Sequence, residues 1–160
     1  MNTYIVPTIE RETLARTLDS IRKEDPNAEI LVCKGGSASS NRNLGLKNYT
    51  GDWIFFIDDD DFYTEGYLSE VEESLDIIIF RMKQGNRIIP RIENDSIVMG
   101  NVGINFAIRS SFYKKLNLEF ENRFAEDWFF LEKYLKLNPN VKITEKIYYN
   151  APIVNHHQPK

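Results

Sequence analysis

Trp53-Ile54-Phe55-Phe56-Ile57-Asp58-Asp59-Asp60-Asp61 is the stretch whose reading decides the fold. Its apolar half runs without alternation, the pattern of a strand buried on both faces, as parallel strands beneath helices are. Its acidic half follows at once. In open α/β sheets ligands bind at the carboxyl ends of the strands, so the aspartates stand where a site belongs. Carboxylates this close repel one another, and a hard divalent cation bridging them to phosphate oxygens relieves the repulsion. The competing reading is a solvated acidic loop, the ordinary fate of a charge run. The position directly after a buried aromatic strand argues against it.

Outward from this stretch, strands and helices alternate, as in an α/β layer fold. Toward the N-terminus, Tyr4-Ile5-Val6 is a short strand stopped by Pro7. Thr8 then reads as a helix N-cap, with Glu10 and Glu12 in the first turn and Leu14, Leu18 and Ile21 as one apolar stripe. Glu29 to Cys33 is a second strand, followed by the loop Lys34-Gly35-Gly36-Ser37 and a short helix carrying Leu44 and Leu46. Toward the C-terminus, Thr64 and Glu65 are expected to open a helix with Leu68, Val71 and Leu75 inside. Ile77 to Phe80 and Arg87 to Ile89 read as strands around a turn at Gly85-Asn86. Ile97 to Ile108 is strand-prone but interrupted by Gly100 and Gly103. Ala125 to Leu137 reads as a helix, and Val141 to Ile143 and Ile147 to Tyr149 as late strands.

Composition bounds the alternatives. The 160 residues, 42% hydrophobic and 28% charged, suit one globular domain over 1–160. No apolar run approaches the ~20 residues of a membrane-spanning helix. The N-terminus lacks the basic and apolar regions of a signal peptide, and the single cysteine, Cys33, fits a reducing compartment, so a cytoplasmic protein is expected. A net charge of −4 argues against sequence-independent nucleic-acid binding.

Several segments carry a family resemblance. Ile57-Asp58-Asp59-Asp60-Asp61 resembles the acid (DXD) motif of the GT-A glycosyltransferases, family 2 above all, where a hydrophobic strand ends in Asp-X-Asp-Asp. Ser40-Asn41-Arg42-Asn43-Leu44-Gly45-Leu46 is similar to the family's Arg-Asn-X-Gly segment, and Gly51-Asp52 follows at the right distance. Tyr4-Ile5-Val6-Pro7-Thr8 resembles its opening strand, and Ala125-Glu126-Asp127-Trp128 its Glu-Asp motif at a helix start. Each piece alone is weak; the four occur in register along nearly the whole chain.

The resemblance implies a single GT-A domain with a mostly parallel central sheet sandwiched by helices. It implies a metal-dependent transfer of a sugar from a nucleotide-sugar donor to an acceptor hydroxyl, saccharide or other, with inversion. By it, Pro7, Thr8, Lys34, Arg42, Asp58 and Asp59 form the donor side, with Asp58 near the nucleotide ribose. Asp58 and Asp60 together would hold Mn²⁺ or Mg²⁺ on the diphosphate, and a late histidine in such enzymes often returns to the metal, which nominates one of His156 and His157, neighbours that cannot share one face. Asp61 is either a further ligand or an acceptor of backbone N–H groups; Arg42 either pairs with a phosphate or positions the nucleotide. Asp127 is the general base, with Glu126 and Trp128 on the acceptor side. Glu126 and Asp127 also read as helix N-terminal acids complementing the dipole, and both roles are compatible.

One departure matters. Where the family has an Asp-Asp-Gly-Ser-like segment, this chain has Cys33-Lys34-Gly35-Gly36-Ser37, so a cation replaces the base-reading acid and the usual uracil preference is not expected. Gly100 to Gly103 and Ser110-Ser111 fall where the family shapes its acceptor pocket. The stretch from the acid run to Glu126 is short, which suggests an extended acceptor, a partner or a dimer completing the cleft. An aspartyl-phosphate phosphatase places its acids on the first strand and follows the second with Thr or Val; here they follow the third strand and Phe62 intervenes. A binding module of the same fold without turnover is the alternative function.

Overall fold

The computed structural model describes residues 1–152. One mixed sheet of eight strands is arranged as β2-β1-β3-β7-β5-β8-β4, with β6 hydrogen-bonded beside β5. The strands are β1 (Asn2–Pro7), β2 (Glu29–Cys33), β3 (Trp53–Phe56), β4 (Phe62–Tyr63), β5 (Ile77–Gln84), β6 (Arg87–Ile89), β7 (Phe106–Arg109) and β8 (Val141–Ala151). β1, β2, β3, β5 and β8 run one way, and β4, β6 and β7 run against them. The helices are α1 (Leu14–Glu24), α2 (Ala38–Asn48), α3 (Ser110–Tyr113) and α4 (Glu126–Leu135).

The unalternating run in β3 is explained by its two faces. β3 lies between β1 and β7, and all four of its residues are buried. Phe55 faces one layer, stacked on Tyr4 with ring centroids 4.5 Å apart and meeting Tyr63 and Tyr67 edge-on. Phe56 faces the other, against Phe106, Phe120 and Phe130. Gly45 of α2 lies over Ile5 on that same side; a Cβ there would come within 2.6 Å of the Ile5 side chain.

Three sequence expectations give way. Thr8 does not cap α1, which begins at Leu14. The Thr8 hydroxyl instead donates to Asp59 at 2.7 Å, and the Thr13 hydroxyl donates to the Asp59 carbonyl at 2.8 Å, so the segment between them wraps the acid run rather than winding into a helix. The helix expected after Thr64 shrinks to a 3₁₀ turn at Tyr67–Glu70. Gly66 is left-handed at φ 97°, and Tyr67 turns inward to stack on Tyr63 and share a 2.9 Å hydrogen bond with the Tyr4 hydroxyl. The two late strands are one, β8, irregular in its register against β5 between Ile79 and Met82. The stripe of Leu14, Leu18 and Ile21 packs on the core as expected.

Candidate active site

The acid run leaves β3 at its carboxyl end, and its aspartates have different surroundings. Asp59 is buried and accepts hydrogen bonds from the Thr8 hydroxyl at 2.7 Å, the Ile9 N–H at 3.1 Å and Arg11 at 2.9 Å. It therefore ties the end of β1 to the end of β3. Asp61 is buried too and accepts from the Tyr149 hydroxyl at 2.6 Å, while that same oxygen accepts from the Asp58 N–H at 3.3 Å. Burial, with the charges of Asp58 and Asp60 beside it, pushes the Asp61 carboxyl up to about 9. Asp60 lies 3.4 Å from Arg11.

Asp58, Asp60 and Asp61 each bring a carboxylate oxygen within 4.8 Å of the others. Ligands of an octahedral Mg²⁺ stand about 3 Å apart when adjacent and about 4.2 Å when opposite, so the three carboxylates would draw together around such an ion to form an all-oxygen donor set. Burial is the main cause of the elevated Asp61 carboxyl and the charge of Asp58 the second, and a cation among the three would act against both. The residues present fit Mg²⁺ or Mn²⁺. His156 and His157 lie outside the described residues.

Arg42, projecting from α2, joins this cluster to α4. It is 4% exposed, donates to Asp58 at 2.7 Å and pairs with Glu126 through its other terminal nitrogen. Burial opposes its charge, yet the two carboxylates hold its pKa above the usual value. Glu126 also accepts from the Ser39 hydroxyl, so this acid is turned toward α2. Ala125 precedes it in the left-handed region, at φ 56°, and turns the chain so that both acids at the start of α4 face the cleft. Asp127 accepts its neighbour Trp128's N–H at 2.8 Å. Burial raises its pKa, against that hydrogen bond and the charge of Arg42.

Two cavities meet at Asp127. The first, about 530 Å³, is walled by Pro7, Thr8, Arg42, Asp58, Asp59 and Glu126 among others, and Asp127 closes it. The second, about 470 Å³, opens beyond Asp127 toward Trp128, Phe124 and Met99, with Gly100 and Gly103 in its wall. Lys34 stands outside both walls, exposed and paired with Glu10 at 2.9 Å, and this pairing raises its pKa. Ser110 lies at the opposite end of the sheet, its hydroxyl donating to the Asp52 carbonyl at 2.9 Å, because β7 runs against β3 and ends where β3 begins.

Arg11, Arg123 and Ile104 line the first cavity and Tyr149 anchors the acid run, though nothing in the sequence marked them. Arg11 was readable only as a residue of the expected first helix, and Tyr149 only as one more apolar residue of a late strand. Among the described residues no helix is long and apolar enough to cross a membrane.

Solved structures share this architecture. Residues 1–349 of S. aureus TarS in complex with UDP-GlcNAc superpose with a TM-score of 0.79 at 22% identity, covering 96% of this chain and 59% of that one. The mannosyltransferase PcManGT from Pyrobaculum calidifontis, in complex with GDP-Man and Mn²⁺, gives 0.73 at 12% identity, covering 97% and 57%. A197 from STIV gives 0.61 at 16%, covering 94% and 81%. The chain thus spans less than two thirds of the length of the TarS and PcManGT chains it matches. No curated protein matches it in sequence. The profile of glycosyl transferase family 2 matches residues 38–136, from the start of α2 through the acid run and the Glu126-Asp127 pair to the end of α4, and the chain belongs to that family.

Proposed function

We propose that this chain, as one GT-A domain over residues 1–160, transfers a sugar from a metal-bound nucleotide-sugar to an acceptor hydroxyl with inversion. The observation that carries the reading is the position of Asp127, a carboxylate shared by two cavities, one of which has Asp58 and Asp59 from the start of the acid run in its wall. A donor in the first cavity and an acceptor in the second would meet at this residue.

In the step, the acceptor oxygen bonds to the sugar C1 as the C1–O bond to the diphosphate breaks, and the acceptor proton passes to a carboxylate oxygen of Asp127. Burial raises the pKa of Asp127, which makes its carboxylate form a stronger proton acceptor. Asp58, Asp60 and Asp61 would hold Mn²⁺ or Mg²⁺, which when bound would supply positive charge against the negative charge gathering on the leaving diphosphate. Arg42 keeps Asp58 and Glu126 in place across the cleft. Pro7, Thr8 and the Asp59 latch shape the donor wall, and Trp128 the acceptor wall. A cytoplasmic setting is part of this reading, supported by the single cysteine, Cys33, which has no partner within the chain for a disulfide.

The test is a panel of UDP-, GDP-, CDP-, ADP- and dTDP-sugars incubated with the protein and Mn²⁺, reading release of free nucleoside diphosphate. One donor should be hydrolysed slowly without acceptor, and chelator should stop it. Nucleotide binding without turnover of any donor, with and without added alcohols and glycosides, would leave a binding module instead.

A further inference from the structure

The second cavity differs in chemistry from the first. Met82, Ile89, Met99, Val102, Phe124 and Trp128 supply its apolar walls, and among the described residues Asp127, Gln84 and Arg87 are its charged or amide side chains. Arg87 is already engaged, donating to the Gly100 carbonyl at 3.1 Å. Met82, Ile89 and Val102 are buried beneath the cavity, whereas Phe124 is 90% and Met99 49% exposed at its rim. A third cavity of about 280 Å³ shares Arg87 and Ile89 with the second and carries Ile92, 68% exposed. That third cavity is mixed, with Asn86, Arg87, Arg91 and Glu93 beside its isoleucines, so the apolar trough that leads from Asp127 is the one walled by Met99, Phe124 and Trp128.

A polyhydroxylated ring entering this trough would bury several hydroxyls against few partners, and a buried polar group without a hydrogen bond is destabilising. An apolar body gains from the same surfaces in proportion to the area it covers. We propose that the second cavity takes an acceptor of one class: an alcohol whose body beside the reacting hydroxyl is alkyl or aryl. Its hydroxyl sits at Asp127 and its body lies over Met99, Phe124 and Trp128. The proposal rests on the reading of Asp127 as the acceptor-side base, and it leaves the transfer step unchanged.

Equilibrium binding without donor or metal tests it, with 6-phenylhexan-1-ol and methyl β-D-glucopyranoside as probes, each below any aggregation threshold, followed by ligand-observed NMR and tryptophan fluorescence. The phenyl alcohol should bind at least about tenfold tighter, a difference well within what one buried ring supplies. Met99→Ser and Phe124→Ser change exposed rim positions, so they should weaken it about fivefold or more while melting temperature and nucleoside diphosphate affinity stay put. Equal or tighter binding of the glucoside, no binding of the alcohol, or indifference of both variants would overturn the proposal. So would loss of adsorption to phosphatidylcholine vesicles in the variants with alcohol binding intact, which would assign the apolar surface to a membrane. Because no donor takes part, failure here leaves the donor chemistry standing, and failure of donor turnover leaves this binding result standing.

Discussion

Asp127 and Asp59 show how neighbouring carboxylates acquire opposite duties. Asp127 opens on two cavities and carries a burial-raised pKa, so Asp127→Asn keeps the shape and removes the carboxylate proposed as the base. Transfer should fall roughly 100- to 10,000-fold, the usual worth of a positioned general base, with metal-dependent nucleotide affinity near wild type. The wild-type rate should drop as pH falls through the Asp127 pKa, since the protonated acid accepts nothing, and the midpoint should lie above the ordinary aspartate value of about 3.9. Steady-state kinetics across pH checks both, and an unchanged rate in Asp127→Asn would move the base elsewhere. Asp59 was expected on the donor side from motif position, and it does border the first cavity, but its carboxylate is committed to Thr8, Ile9 and Arg11. Asp59→Asn loses a buried charge-assisted set and should cost about 2–3 kcal/mol in urea unfolding. A loss below about 0.5 kcal/mol, the size of an ordinary surface change, would show that the latch contributes little.

At the scale of elements, the Arg-Asn-X-Gly segment resolves into separate mechanical parts on α2. Arg42 bridges Asp58 and Glu126. Asn43 donates to the Phe120 carbonyl at 2.9 Å and accepts the Phe120 N–H at 2.7 Å, holding the approach to α4. Gly45 lets α2 lie close on β1, because an added Cβ would fall 2.6–2.9 Å from three atoms of Ile5. Alanine is the better helix former by about 1 kcal/mol, yet overpacking costs about 1–3 kcal/mol, so Gly45→Ala should lower the melting temperature. Because α2 carries Arg42, nucleotide affinity should fall with it; a variant as stable as wild type would mean that Ile5 repacks freely. The motif is legible as a motif in sequence, but its division of labour appears only when α2 is laid against β1, β3 and α4.

For the whole molecule, the acids converge only because the sheet brings together segments far apart in the chain. Tyr149 of β8 braces Asp61, Arg11 from the β1–α1 segment holds Asp59 and Asp60, and α4 supplies Asp127. A ligand that binds the native state alone stabilises it by mass action. Mn²⁺ with a nucleoside diphosphate should therefore raise the melting temperature, by several degrees at saturation for a domain of this size. Chelator should remove the shift, and Asp60→Asn should abolish most of it. A shift that persists with chelator would show that the nucleotide is held without metal.

What the sequence alone determined is what local pattern and order encode: the doubly buried β3, the acid run at its end, the α1 stripe and the Glu-Asp pair opening α4. Each depends on periodicity or on residues adjacent in the chain. The start of α1, the collapse of the expected helix after Thr64 into a turn, the commitment of Asp59 and the bridge made by Arg42 were decided by tertiary structure. In each case a side chain found a stronger partner across the fold than its local propensity offered: Thr8 and Thr13 found Asp59, Tyr67 found Tyr4 and Tyr63, and Arg42 found two carboxylates at once. Local preferences are worth tenths of a kcal/mol to about 1 kcal/mol per residue, whereas burying a charged group leaves it no choice but to be paired.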